Sequence, residues 1–300
     1  MGTRGSKLAL CQAHMVQDLI QSAHPGVEIE IVTIRTSGDK GNYEVLGSFV
    51  KEIQESLLAH EIDVALHCLK DLPTQPVSGL SLAAHLPRED SSEAIITRGP
   101  SWRELPANSV IGTGSVRRTS QIAAIRSDLV FKPLVGNVDT RMRKLQDGVY
   151  DAIVLATAGL KRLGVLDHWK ESEYAALRIE PLEILPAAGQ AVLVLEVETG
   201  SAVTPLIAHF NDVNTQLASS AERAFLRHFG TGCSMPVAAQ ATIRNGSLLL
   251  DGLVSSPDGQ TVLRGAEEGP AEDAEAIGIE LATRLCSLGA RDLIPGGARS

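Results

Sequence analysis

Apolar positions recur at helical spacing over residues 6–24, where Leu8, Leu10, Ala13, Val16, Leu19 and Ile20 fall along one stripe. Ser6 stands where an N-cap belongs. Arg4 and Ser6 therefore sit at a helix start, whose unpaired backbone N–H groups favour anions. Little chain precedes this helix, so a strand feeding it is nearly absent. Residues 27–35, VEIEIVTIR, alternate strongly and predict a strand. The segment 36–47 carries Gly38-Asp39, Gly41-Asn42 and Gly47 and reads as a mobile loop. An amphipathic helix over 49–60 turns Val50, Ile53, Leu57 and Leu58 inward. DVALH at 63–67 is a short buried strand; it breaks into Lys70-Asp71 and is stopped by Pro73. Residues 80–86 and 93–97 are further strands, separated by a polar break at 87–92.

The same grammar restarts at Ser109: VIGTGS, a helix over 116–126, a strand at 129–133, a helix at 138–147, a strand at 151–155, then the helical AGLKRLG. This alternation predicts a mostly parallel sheet. Its presence in both stretches predicts two similar α/β lobes. The buried-type run 191–197, AVLVLEV, is placed to return the chain to the first lobe. From about Asn211 the texture changes. A helix over 217–229 precedes GTGCS, then strand-like runs at 236–243, 247–254 and 260–265, with turns at Gly246 and Pro257-Asp258-Gly259. An acidic linker and a helix over 271–288 complete a compact α+β domain. The expected organisation is residues 1–89 with 186–210 as lobe 1, 90–185 as lobe 2, and 211–300 as the third domain.

A net charge of −9 gives no global basic field and argues against nucleic acid as partner. No apolar run has the length to span a bilayer, and no signal-type core is present, so the membrane is excluded as well. The four cysteines, Cys11, Cys68, Cys233 and Cys286, lie far apart without a C-x-x-C pair. That argues against a disulfide framework or zinc site and for the reducing cytoplasm. The eight histidines form no metal constellation.

Lys70 and Asp71 sit where a strand leaves the core, and strand ends of this kind border the ligand crevice in open α/β sheets. His67 and Cys68 beside them read as core. Cations follow strand ends in the second lobe: Arg117 and Arg118 after VIGTG, Arg141 and Arg143 in NVDTRMRK, and Lys161-Arg162 after DAIVLA. A parallel sheet lines them along one rim, where arginine forks suit a polycarboxylate or polyphosphate. Gly112-Thr113-Gly114-Ser115 opens like a dinucleotide fingerprint, but the third glycine is missing and no P-loop exists, which rejects nucleotide binding. Cys233 lies between Gly232 and Ser234, outside any apolar periodicity, which leaves its sulfur reachable for covalent attachment.

TRGSKLALCQA, HCLKDLPT, LPREDSSEA, VIGTGSVRRTSQ, GNVDTRMRKL, YDAIVLATAGLKRLG, AERAFLRHFGTGCSMPVA and the closing GIELATRL occur in order across nearly the whole chain. Jointly they resemble the porphobilinogen deaminase (hydroxymethylbilane synthase) family. The resemblance implies an α/β fold of two periplasmic-binding-protein-like (type II) lobes with a small α+β third domain. It implies a usually monomeric transferase that condenses four porphobilinogen molecules onto a dipyrromethane, itself joined by thioether to Cys233, and releases hydroxymethylbilane. By the same resemblance Asp71 is the catalytic carboxylate with Lys70 beside it. Arg4, Ser6, Ser115, Arg117, Arg118, Thr140, Arg141 and Arg162 bind acetate and propionate groups of cofactor and substrate, and Phe49 and Lys51 belong to the mobile loop.

This sequence departs from the family pattern at several points. Val135 replaces an arginine before Gly-Asn, Leu46 stands where a lysine is expected in a shortened loop, and Gly189-Gln190-Ala191 replaces GQG. The missing guanidinium and altered loop predict accumulation of partly extended enzyme intermediates. The pattern leaves open a two-lobe protein that holds a pyrrole or other polycarboxylate without full polymerisation. Two pyrrole units on Cys233, weighed by intact mass spectrometry, separate the enzyme from that alternative.

Overall fold

The computed structural model describes residues 1–38, 49–167, 170, 174–230 and 235–294. They group into two compact units: Met1–Glu89 with Gly189–Leu217, and Asp90–Ala188 with Ala218–Gly230 and the described residues from 235 onward.

The first unit runs β1 (Gly2–Arg4), α1 (Lys7–Ala23), β2 (Val32–Ile34), α2 (Lys51–Leu58), β3 (Ala65–Cys68), a 3-10 turn (Leu69–Asp71) and β4 (Leu80–His85). A strand from much later in the chain, Leu193–Glu198, inserts between β3 and β4. β1 is parallel to β2 and β3, whereas the inserted strand is antiparallel to both its neighbours. The alternating run at 27–35 is a strand only over Val32–Ile34. β1 offers just Gly2, Thr3 and Arg4 as partners, and backbone groups beyond a partner's end must find other acceptors. Ala13, Val16 and Ile20 of α1 pack with Val64, Leu66, Leu193 and Leu195. Ile53 and Leu57 of α2 pack with Ala65 from the other side of the pleat. The sheet is thus covered on both faces.

The second unit repeats the plan with β5 (Glu93–Thr97), β6 (Val110–Gly112), α3 (Val116–Ile125), β7 (Val130–Lys132), α4 (Val138–Gln146), β8 (Ala152–Ala156), α5 (Thr157–Arg162) and β9 (Arg178–Leu182). Its order, β7-β6-β8-β5-β9, matches β2-β1-β3-β10-β4 of the first unit, with Leu193–Glu198 numbered β10. β6 is parallel to β7 and β8, while β5 is antiparallel to β8 and β9. The two sheets therefore share one strand order, as the pair of similar α/β lobes expected from the sequence. The sheets are mixed, not mostly parallel, because in each the inserted strand runs against its neighbours.

The chain continues through α6 (Thr204–Ile207) and α7 (Val213–His228) to an antiparallel meander of β11 (Val237–Arg244), β12 (Ser247–Ser255) and β13 (Val262–Pro270), then α8 (Ala274–Ser287). Leu281 and Leu285 of α8 are buried. Gly278 faces the Ala221 carbonyl of α7 so closely that a Cβ would collide with it. This meander falls in the second compact unit. Among the described residues no helix is long and apolar enough to cross a membrane.

Candidate active site

Three parallel strands end on one edge of the first sheet. Arg4 is the last residue of β1, and the turn Leu69–Asp71 follows β3 directly. Lys70 and Asp71 are half-buried there, on top of Leu69, which is fully buried. Lys70 Nζ donates to Gln190 Oε1 at 3.2 Å. The Arg4 guanidinium carbon lies 4.1 Å from the Phe49 ring centroid, within cation–π range. Phe49 lies where Gly38 has no side chain, since a Cβ there would strike the ring. Ser6 Oγ accepts from Ala9 N at 3.2 Å as the α1 cap, which leaves its hydroxyl proton to donate elsewhere. Lys51 is on the surface, 72% exposed, with Glu55 Oε1 3.7 Å away. Residues 39–48, including Leu46, lie outside the described residues.

Beneath the turn, His67 Nε2 lies 3.1 Å from Glu196 Oε2, without hydrogen-bond alignment. Gln54 Nε2 donates to both oxygens of Glu196, at 3.0 and 3.1 Å. This buried set joins α2, β3 and β10, and matches the expectation that His67 is a core residue.

In the second unit, the loops after β6, β7 and β8 lead to the starts of α3, α4 and α5. Ser115 is the N-cap position of α3, yet its side chain makes no cap bond. Arg141 Nε donates to Gly136 O at 2.6 Å, and exposed Thr140 packs beside Gly136, whose φ of +112° closes the turn. Half-buried Arg162 ends α5. Its neighbour Lys161 reaches Asp90 Oδ2 at 3.2 Å. Burial pushes the Asp90 carboxyl up, but hydrogen bonds from Ser92 and then Lys161 outweigh it and hold Asp90 below the ordinary carboxylate value.

Arg117 and Arg118 differ from the open rim that the sequence pattern predicts. Both turn inward onto Glu93, which is fully buried. Arg117 Nη2 donates to Glu93 Oε1 at 2.5 Å, and Arg118 donates from Nε to Oε1 at 3.1 Å and from Nη2 to Oε2 at 2.7 Å. Their Nη1 groups donate to Leu185 O at 2.7 Å and Val154 O at 3.0 Å. A carboxylate in the core needs this kind of compensation. The sequence reading assigned Glu93 no role and met Gln190 only within the altered GQG run. A charged residue opening the apolar run EAIIT was the available signal for the first; for the second, the motif marked the position but not its contact with Lys70.

Cys233 lies outside the described residues. The first unit presents the Arg4 guanidinium, the Ser6 hydroxyl and the Lys70-Asp71 pair; the second, taken by itself, presents Ser115, Thr140, Arg141 and Arg162 around its helix ends. In each unit such cationic and hydroxyl donors suit carboxylate groups.

Two family descriptions match the chain: "Porphobilinogen deaminase, dipyromethane cofactor binding domain" over residues 1–204, and "Porphobilinogen deaminase, C-terminal domain" over residues 216–287. Curated relatives named porphobilinogen deaminase are similar along nearly their whole length. That of Chromobacterium violaceum is 41% identical, covering 98% of this chain and 96% of that protein. Those of Thermus thermophilus and Roseiflexus sp. (strain RS-1) are 42% and 43% identical, covering 98% and 99% of this chain and 97% and 98% of theirs.

Proposed function

The chain belongs to the porphobilinogen deaminase family, and from that premise we propose how its own residues carry the reaction. The activity is that of hydroxymethylbilane synthase, a transferase of tetrapyrrole and haem biosynthesis. It condenses four porphobilinogen molecules head to tail, releases one ammonia at each addition and frees the linear product by hydrolysis. The dipyrromethane, bound through Cys233, supplies the nucleophilic pyrrole carbon.

Asp71 is the catalytic group. At each addition the substrate's aminomethyl C–N bond breaks, the amine leaves as ammonia after taking a proton, and positive charge spreads over the substrate pyrrole. A carboxylate beside the pyrrole N–H shuttles that proton and stabilises the developing cation. The new C–C bond would be made at the carbon that the bound dipyrromethane supplies, and Asp71 would take the proton released there. Lys70, Arg4, Ser6, Ser115, Thr140, Arg141 and Arg162 hold the carboxylate arms. Arg117 and Arg118 act through Glu93, which ties the start of α3 to β5. The observation that carries this reading is the Leu69–Asp71 turn, which presents a lysine and an aspartate together at the carboxyl edge of β3. The widely spaced cysteines support a cytoplasmic location, and the family resemblance supports a monomer.

An Asp71→Ala variant should lose turnover while intact mass still shows two pyrrole units on the protein. A near-normal rate in that variant would end the assignment of Asp71.

A further inference from the structure

Gln190 is 1% exposed, and its Oε1 accepts from Lys70 Nζ at 3.2 Å. Its backbone is unusually constrained. Gly189 before it has φ +73° and Ala191 after it φ +71°, the latter a conformation that residues with a Cβ rarely adopt. A Cβ on Gly189 would stand 2.9 Å from Leu69 Cγ, the residue before Lys70. Leu69 N donates to Val192 O at 3.0 Å, and Glu89 N to Ala191 O at 3.3 Å. The 189–192 turn is thus locked against the Leu69–Asp71 turn, and only one side-chain amide reaches from it to the lysine ammonium.

We propose that Gln190 is a positioning residue for the reaction: its neutral carbonyl restrains the Lys70 ammonium in the turn that carries Asp71. The inference rests on the reading of Lys70 and Asp71 given above. Lysine carries its charge on a flexible four-carbon stem, so an unheld ammonium samples many positions. A carbonyl acceptor restrains it without itself adding a negative charge. A carboxylate at position 190 would hold it equally well and cancel the ammonium's charge.

The test is a double-mutant cycle on the full chain carrying its dipyrromethane, with loading checked by intact mass and folding by thermal melt. Lys70→Met and Gln190→Met should each lower kcat/KM for porphobilinogen by about ten- to hundredfold, the scale of a hydrogen bond to a charged group. Combined, they should cost no more than Lys70→Met alone. Gln190→Glu should keep kcat near the parent value and raise KM. If Gln190→Met melts early, Gln190→Asn, which keeps the amide but withdraws the carbonyl, makes the same comparison. Effects that multiply in the double variant, or a Gln190→Met enzyme as efficient as the parent, would overturn the inference and leave the role of Lys70 standing. A Lys70→Met enzyme with parental kinetics would instead remove Lys70 from the site.

Discussion

Replacing Glu93 by Gln interrogates the buried Arg117–Glu93–Arg118 cluster. Side-chain exposures are 0% for Glu93, 6% for Arg117 and 10% for Arg118. Three charge-assisted hydrogen bonds to the carboxylate, at about 1.5–3 kcal/mol each, set a ceiling of roughly 5–9 kcal/mol. The measured loss should be smaller, because each guanidinium keeps one backbone acceptor. Breaking a buried pair while its partner stays charged costs about 3–5 kcal/mol. Gln keeps the shape and one acceptor oxygen, so about 3 kcal/mol is expected. At roughly 2–4 °C per kcal/mol for a unit of this size, Tm should fall by about 6–12 °C. Far-UV circular dichroism melts at matched cofactor loading measure it. A triple variant, Glu93→Leu with Arg117→Met and Arg118→Met, removes every charge and should melt near the parent, since well-packed apolar replacements of buried ion clusters are neutral or stabilising. A Glu93→Gln protein melting within about 2 °C of the parent would refute the reasoning, as would a triple variant less stable than the single one.

Other outcomes follow from the same structure. Gly278→Ala in α8 should destabilise despite the gain of about 1 kcal/mol that helix propensity alone gives, because its Cβ meets the Ala221 carbonyl; a urea titration reads the sign. The His228 imidazole is held below its ordinary 6.5 by burial first and Arg291 second. The unfolded chain therefore takes up its proton first as pH falls, and stability present above about 6.5 is lost as pH drops through the folded value. Melts from pH 8 to 5 should show that decline, and His228→Gln should flatten it. Val135→Arg restores a guanidinium at the start of α4 and should shorten the lifetime of partly extended intermediates seen by intact mass during turnover.

The periodic segments were legible. Helical stripes at 6–24 and 138–147, and buried runs at 93–97 and 151–155, rest on local spacing that burial enforces. β9 was not, because Arg178, Glu180 and Pro181 mask a strand that exists only as the antiparallel neighbour of β5. The length of β2 was over-read for a similar reason: a strand's extent depends on a distant partner, here three residues of β1. Arg117 and Arg118 looked like rim cations since a sequence shows their charge but not Glu93, which sits 24 and 25 positions away and faces them in the core. The strand-end position of Lys70 and Asp71 was legible, whereas the contact from Gln190 to Lys70 depends on a fold that brings residues 120 positions apart together.

The strand order has a consequence for how the protein is made. β4 joins the rest of its sheet only through β10, which the ribosome supplies after the whole intervening lobe. The N-terminal half must therefore wait with an open seam, vulnerable to proteases and to mispairing with other nascent chains. A premature stop anywhere before Leu193 would leave that seam permanently unfilled.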